Sequence, residues 1–180
     1  MKSIILISLI LFSFATNGQS VKFPIDETTG KITYSEVVTL NDSISKDELF
    51  SRAKICYSRI FNNAKNVIQN QDKDAGIIIG KGCFDVYARA LGMNNPGGVI
   101  NFTLTVSVKN GKYRYLIDNL NHDATGTSMP SGGDLERGKP KQWMPKQWEN
   151  VLTLTQTKIK ELISSLKSEM SKPTPKSENW

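Results

Sequence analysis

Histidine and cysteine are nearly absent from this chain, whose 180 residues include one His and two Cys. So few imidazole and thiolate ligands exclude Cys₄, Cys₂His₂ and His₃ metal centres, and any metal site would have to be built from carboxylates. No metal and no cofactor is expected. Glycine and proline, at 13 and 7 residues, are too sparse for a collagen-like or low-complexity chain, and the Cys are too few for a disulfide scaffold. Acidic residues are the minority charge, 17 against 23 Lys and Arg, which leaves +6. Beyond the N-terminal segment, no stretch approaches the roughly 18 apolar residues that a membrane span needs. What remains is one ordinary globular domain, mildly basic, in which 38% of the residues are hydrophobic.

The N-terminal segment has a basic start at Lys2, an apolar run from Ile4 to Phe14 broken only by Ser8 and Ser13, and then Ala15-Thr16-Asn17-Gly18. This is the three-part layout of a secretory signal peptide, and its apolar run is too short to cross a bilayer. Residues 1–18 are therefore read as the signal, with cleavage after Asn17 or Gly18. The domain is placed at 19–170 and a polar tail at 171–180. A buried N-terminal helix is the competing account, but the run lacks the charged periodicity that would give such a helix an outer face. The first Cys is Cys56, so the chain is not expected to be an N-terminal lipoprotein. Removing the signal leaves 22 basic against 17 acidic residues, a charge of +5, on a protein expected in the periplasm or outside the cell.

Past a lead-in at Val21 to Glu27 and a turn at Thr29-Gly30, the segment from Lys31 to Leu40 alternates Ile32, Tyr34, Val38 and Leu40 with Thr33, Ser35, Val37 and Thr39. That alternation predicts a strand, with Glu36 in phase with the apolar face, at a bulge or a wet strand end. Ser45-Lys46-Asp47-Glu48 is an S-x-x-E capping box flanked by a staple of Ile44 and Leu49, so a helix starts at Lys46. Its apolar stripe is Leu49, Ala53, Cys56, Ile60 and Ala64, with Phe50, Tyr57 and Phe61 beside it. Asn62-Asn63 ends it. Strands are predicted at Lys65 to Gln71 and Ala75 to Asp85 around the turn Asp72-Lys73-Asp74. A loop holding Gly92, Asn94, Asn95, Pro96, Gly97 and Gly98 follows.

Asn110-Gly111 between Val99–Lys109 and Lys112–Leu120 is the signature of a two-residue type I′ hairpin. Its register puts Val108, Val106 and Leu104 opposite Tyr113, Tyr115 and Ile117 on one face. Lys109, Ser107 and Thr105 then lie opposite Lys112, Arg114 and Leu116 on the other. A last helix from about Gln147 to Met170 carries the stripe Trp148, Val151, Thr155, Ile159, Leu162, Ile163, Leu166 and Met170, and Pro173 and Pro175 stop it. Residues 121–146 are expected to form a long loop rich in Gly, Pro and Lys. The order β-α-β-β-β-β-α predicts an α+β fold, an antiparallel sheet with two helices packed on one face and the other face open.

Several stretches resemble one known family: Phe23-Pro24, Gly30-Lys31-Ile32, the helix segment Glu48 to Lys54, the run Asp74 to Gly82, and Lys112-Tyr113-Arg114-Tyr115. The chain is similar to the exported proteins carrying domain of unknown function 4468, which are found mainly in Bacteroidetes. The resemblance spans Phe23 to Leu120 and, more loosely, the last helix. It implies a TATA-binding-protein-like fold and export, and it carries over no reaction and no catalytic residue.

Gly80-Lys81 follows an apolar run, but the spacer, the Ser or Thr and the helix of a phosphate loop are all missing. Gly80 and Gly82 are instead read as letting a helix pack close to the sheet. If Ile78, Gly80, Gly82 and Phe84 face the helices, Cys83 points to the open face and cannot reach Cys56. In the opposite phase both thiols lie in the core, and a Cys56–Cys83 disulfide forms if the Cα atoms come within about 7 Å. His122 beside Asp123, with Ser128 nearby, invites a hydrolase triad. No G-x-S-x-G elbow presents the serine, so His122 is read as a solvated loop residue and no catalytic residue is assigned.

Lys109, Lys112 and Arg114 share the outer hairpin face with Thr103, Thr105 and Ser107. The loop adds Arg137, Lys139, Lys141 and Lys146, with Trp143 and Met144 as apolar anchors, whereas Trp148 is read as core. In the TATA-binding fold this face meets DNA. That use needs two pseudo-repeats and apolar wedges, so nucleic acid is disfavoured for a one-repeat exported chain. The reading is an exported binding or structural module whose partner is an envelope protein, a polysaccharide or an anionic lipid headgroup. A hydrolase built on the 121–146 loop is the rival.

Overall fold

Tyr34–Thr39 forms β1, Lys46–Ile60 forms α1, Ala64–Val67 a single turn α2, and Ile68–Asp72 β2. Two long strands follow, β3 at Ile77–Ala90 and β4 at Met93–Lys109, then β5 at Lys112–Asp123. The short β6, Gly133–Asp134, runs into a 3₁₀ turn at Leu135–Arg137, and Pro145–Ser171 is α3. This computed structural model describes residues 21–61, 64–90 and 92–175. The signal peptide expected at 1–18, the Asn62-Asn63 stop and the end of the tail lie outside the described residues. The strands form one antiparallel sheet in the order β1-β5-β4-β3-β2, with β6 on β5. This is the predicted α+β architecture.

Helix α1 starts where its cap directs. The Ser45 hydroxyl accepts from the Glu48 amide at 3.2 Å, which satisfies one of the orphan N–H groups of the first turn. Glu48 does not close the box. Its carboxylate takes the Arg52 guanidinium at 2.8 Å and the Thr174 amide at 2.9 Å. Arg52, 8% exposed, donates to the Met170 and Ser171 carbonyls at the C-terminal end of α3, where a cation complements the helix dipole. The chain just past α3 is thus tied to α1 as far as Thr174, beyond the boundary expected at Met170.

The buried face of α1 is Leu49, Phe50, Ala53, Cys56 and Tyr57, with Ile60 and Phe61 at its margin; the helix ends before Ala64. It approaches the sheet closely because Gly80 and Gly82 stand beneath it. A Cβ at Gly80 would lie 2.5 Å from the Tyr57 ring, and one at Gly82 would lie 2.8 Å from that of Phe61. In the space so left, the Tyr57 hydroxyl donates to the Leu104 carbonyl at 2.7 Å. Helix α3 opens with Pro145 in its first turn, where a missing N–H costs nothing, and buries Trp148, Val151, Thr155, Ile159, Leu162, Leu166 and Met170. Ile163, placed on that stripe by its spacing, is only partly buried. Each large apolar side chain covered this way contributes about 1.5–3 kcal/mol.

The hairpin register is as its turn requires. Val108 pairs with Tyr113, Val106 with Tyr115 and Leu104 with Ile117, and Lys109, Ser107 and Thr105 pair with Lys112, Arg114 and Leu116. The segment read as a loop around Pro96 is instead β4, continuing its ladder against β3 with Pro96 opposite Tyr87 and Met93 opposite Ala90. A bulge between Asp85 and Tyr87 and Gly98 at φ +96° bend the pair without breaking it. Residues 64–67 form a helical turn where a strand was expected, so β2 starts only at Ile68. Strand β5 likewise runs on to Asp123 and is joined by β6, so the 121–146 segment opens on strand.

Candidate functional site

With both long helices on one side, alternation along the strands decides what the other side presents. The rows can be read across the sheet from the hairpin turn outward. Lys109 and Lys112 stand directly opposite each other, and Thr39 continues the row. The next row is Ile77, Ser107, Arg114 and Val37, and the one after it Ile79, Thr105, Leu116 and Ser35. Lys81, Thr103 and Asp118 follow. Like charges placed directly across a strand pair are destabilising, so the Lys109–Lys112 pair costs stability where it stands. No ion pair involves Lys109, Lys112 or Arg114 among the described residues. The three cations border a hollow of about 450 Å³ whose apolar lining includes Val37, 57% exposed, and Ile77. Thr103 and Thr105 extend the same surface along β4. The structure thus brings together six of the residues singled out by sequence, Ser107 among them.

Glu36 points to the helix side instead, at the sheet edge. Its carboxylate meets Lys167 of α3 at 2.6 Å and accepts from the Tyr115 hydroxyl at 2.9 Å. Those two bonds, Lys167 first, hold it below the usual carboxylate range. Glu36 stands in mid-strand with the register unbroken, so neither the expected bulge nor a strand end is there; the carboxylate reaches solvent because β1 is an edge strand, and it is occupied.

The loop residues lie elsewhere. They gather around the far end of β5, ten residues or about 33 Å along the strand from Lys112. Arg137 pairs with Asp134 at 3.2 Å, and the Lys139 ammonium donates to the Pro140 and Trp143 carbonyls. Lys141 and Lys146 are exposed, Lys146 beside Arg89 and Glu149. Trp143 is no surface anchor: it is 2% exposed and donates its indole N–H to the Pro130 carbonyl at 2.9 Å. Met144, 66% exposed, does stand in solvent. Trp148 is core, as its spacing predicted.

His122 corrects the sequence reading most sharply. It is not a solvated loop residue but a fully buried one on β5, edge-on to Trp143 and Trp148 at 5.3 and 5.2 Å between ring centres. Nδ1 accepts the Gly132 amide at 2.8 Å, which only a neutral imidazole can do, so Nε2 carries the proton and donates to the Gly97 carbonyl at 2.6 Å. Burial lowers its pKa below the ordinary value. Asp123, its neighbour in sequence, points off the other face of the strand, where it accepts from Thr125 and Ser131. His122 and Asp123 therefore form no dyad.

The thiols are also settled by strand phase. Ile78, Gly80, Gly82 and Val86 turn toward the helices, so Cys83 is exposed on the open face while Cys56 is buried on the inner face of α1, and both are free. The Cys56–Cys83 disulfide left open by the sequence does not form, because the sheet separates the two side chains. Burial pushes the Cys56 thiol up to about 12. Lys81 lies within β3, which runs on past it as strand. Among the described residues no group of three His, Cys, Asp or Glu is arranged to hold a metal ion.

Sequence reasoning missed Ile77 and Ile79 as members of the open face, whereas Val37 was placed there by the alternation of its strand and Leu116 by the hairpin register. Ile77 and Ile79 sit in an unbroken apolar run from Ala75 to Ile79 that hides the alternation.

The open-faced sheet with two helices behind it is found in solved structures. A DUF4468 family protein from Bacteroides ovatus superposes with a TM-score of 0.63 at 14% identity, over 85% of this chain and 94% of its own. A TBP-like protein from Parabacteroides distasonis does so with a TM-score of 0.57 at 11% identity, over 80% and 96%. At such identities the likeness is one of fold alone. A comparison with curated proteins found no match. The family model for the domain of unknown function DUF4468 with TBP-like fold matches residues 34–123, from the first residue of β1 to the last of β5 and half of the chain, and the protein therefore belongs to the DUF4468 family.

Proposed function

We propose that this is an exported protein of the cell envelope or its surroundings that works as a binding or structural module through the hairpin end of its open sheet face. One observation carries the reading: Lys109, Lys112 and Arg114 crowd around an apolar hollow with no ion-pair partner among the described residues. Holding like charges together costs stability, and a ligand of opposite charge would repay it. Export rests on the signal-like residues 1–18. No helix among the described residues is long and apolar enough to cross a membrane.

The 121–146 segment is left out of this surface, because its aromatic residues are packed inward and its cations stand a strand's length away. A hydrolase reading would need His122 as a base, and both of its ring nitrogens are committed to the backbone. The test is a charge reversal, Lys112→Glu with Arg114→Glu, in a protein shown by its thermal transition to remain folded. Binding to an envelope fraction of the producing cell should fall about tenfold or more. Unchanged binding would remove the sheet face from consideration.

A further inference from the structure

Strand β4 presents Thr103, Thr105 and Ser107 in succession to the open face, a line of small side chains. Its neighbours present larger ones at the same heights: Lys81, Ile79 and Ile77 on β3, Asp118, Leu116 and Arg114 on β5. A low row between two high rows is a trough along β4, about 20 Å long from Thr103 to Lys109. The walls are apolar over the middle of its length, and Ile77, Ile79 and Leu116 are only half-buried there. The hairpin end opens into the hollow ringed by Lys109, Lys112 and Arg114.

The two halves of this surface call for different chemistry. Half-buried aliphatic walls favour an apolar chain, and three crowded cations favour an anionic group that can take charge-assisted hydrogen bonds. A free anion would leave the walls wet, and a neutral hydrocarbon would leave the cations repelling one another. We infer that the trough binds a single-chain anionic amphiphile, with a phosphate or carboxylate headgroup among Lys109, Lys112 and Arg114 and the chain along β4 between Ile79 and Leu116. The inference rests on the open-face reading above and names its ligand class.

Titration calorimetry of the purified protein with dodecyl phosphate, kept below its micelle concentration, tests it against inorganic phosphate and dodecyl maltoside. Stoichiometric binding of dodecyl phosphate, about tenfold or more tighter than either control, is the expected result. Lys112→Gln with Arg114→Gln should weaken it about tenfold or more, and Ile79→Ser with Leu116→Ser should abolish the advantage over inorganic phosphate. Both pairs lie on the solvent side of the sheet, and a thermal transition checks that each variant is folded. Equal affinity for dodecyl phosphate and inorganic phosphate means an anion site alone and overturns the inference. So does sedimentation with phosphatidylglycerol vesicles when the monomeric amphiphile does not bind, since a bilayer surface would then be the partner. Failure of every probe, alongside envelope binding that still depends on Lys112 and Arg114, rejects the amphiphile and leaves the open-face reading standing.

Discussion

His122 shows how much one buried side chain can decide. Its imidazole is wedged between two indoles and bridges Gly97 on β4 to Gly132 just before β6, so it pins the segment after β5 to the sheet. Gly132 makes the approach possible, since a Cβ there would fall 2.5 Å from the Trp148 ring. Protonating Nδ1 would replace an acceptor with a second donor facing the Gly132 N–H. Because burial depresses the folded-state pKa below the ordinary 6.5, the folded form resists the proton that the unfolded form accepts. The stability this confers is complete above about pH 6.5 and is lost as pH falls toward the folded pKa. Urea unfolding at pH 7.5 and pH 5.0 should therefore show a lower midpoint in acid, and His122→Gln should flatten that difference. A pH dependence identical in the variant would refute the assignment. His122→Ala should cost about 2–4 kcal/mol, from the cavity and two orphaned backbone groups, while leaving binding at the hairpin end intact.

At the scale of elements, the contact between α1 and β3 is the most constrained in the molecule. Tyr57 enters the sheet above Gly80 and ends on the Leu104 carbonyl, so its ring cannot swing aside without losing a buried hydrogen bond. Gly80→Ala should destabilise the fold by about 1–3 kcal/mol, read as a lowered denaturation midpoint, whereas Gly30→Ala, where a Cβ meets nothing within 4 Å, pays only its backbone strain at φ +69°. Equal losses at the two positions would count against close packing as the cause. That Gly80 and Gly82 let a helix pack close was legible in sequence, because they alternate with Ile78 and Phe84 in an apolar run, but the phase that turns them to α1 was not. The far half of the β3–β4 hairpin was not. Asn94-Asn95-Pro96-Gly97-Gly98 has the composition of a loop, and only the pairing with Tyr87, Ala88 and Arg89 holds it in strand. Gly97 and Gly98 are there because a Cβ would strike the backbone of Val86 or Ala88 in the first case and of Asp123 in the second. The same residue types that break isolated strands permit close approach in a bent one.

Across the whole molecule, the sheet is a partition. Helices α1 and α3 seal one side, and everything on the other meets solvent. The two thiols report this division: an alkylating reagent should modify Cys83 in the native protein and Cys56 only after unfolding, because one is exposed and the other is buried and pushed up to about 12. Mass spectrometry of the native protein showing two modified thiols, or none in the absence of reductant, would contradict the partition. The sequence by itself determined the two long helices, the Asn110-Gly111 register and the side to which Lys109, Lys112 and Arg114 turn. Each of these depends on periodicity or on a turn within a few residues of chain, and such local signals survive without tertiary contacts. The phase of β3, the burial of His122 and Trp143, and the separation of the loop cations from the hairpin were decided by tertiary structure alone. Those depend on which distant segment covers a given face, and a segment that reads as polar loop can still bury its aromatic residues once a sheet edge and a helix start are there to receive them.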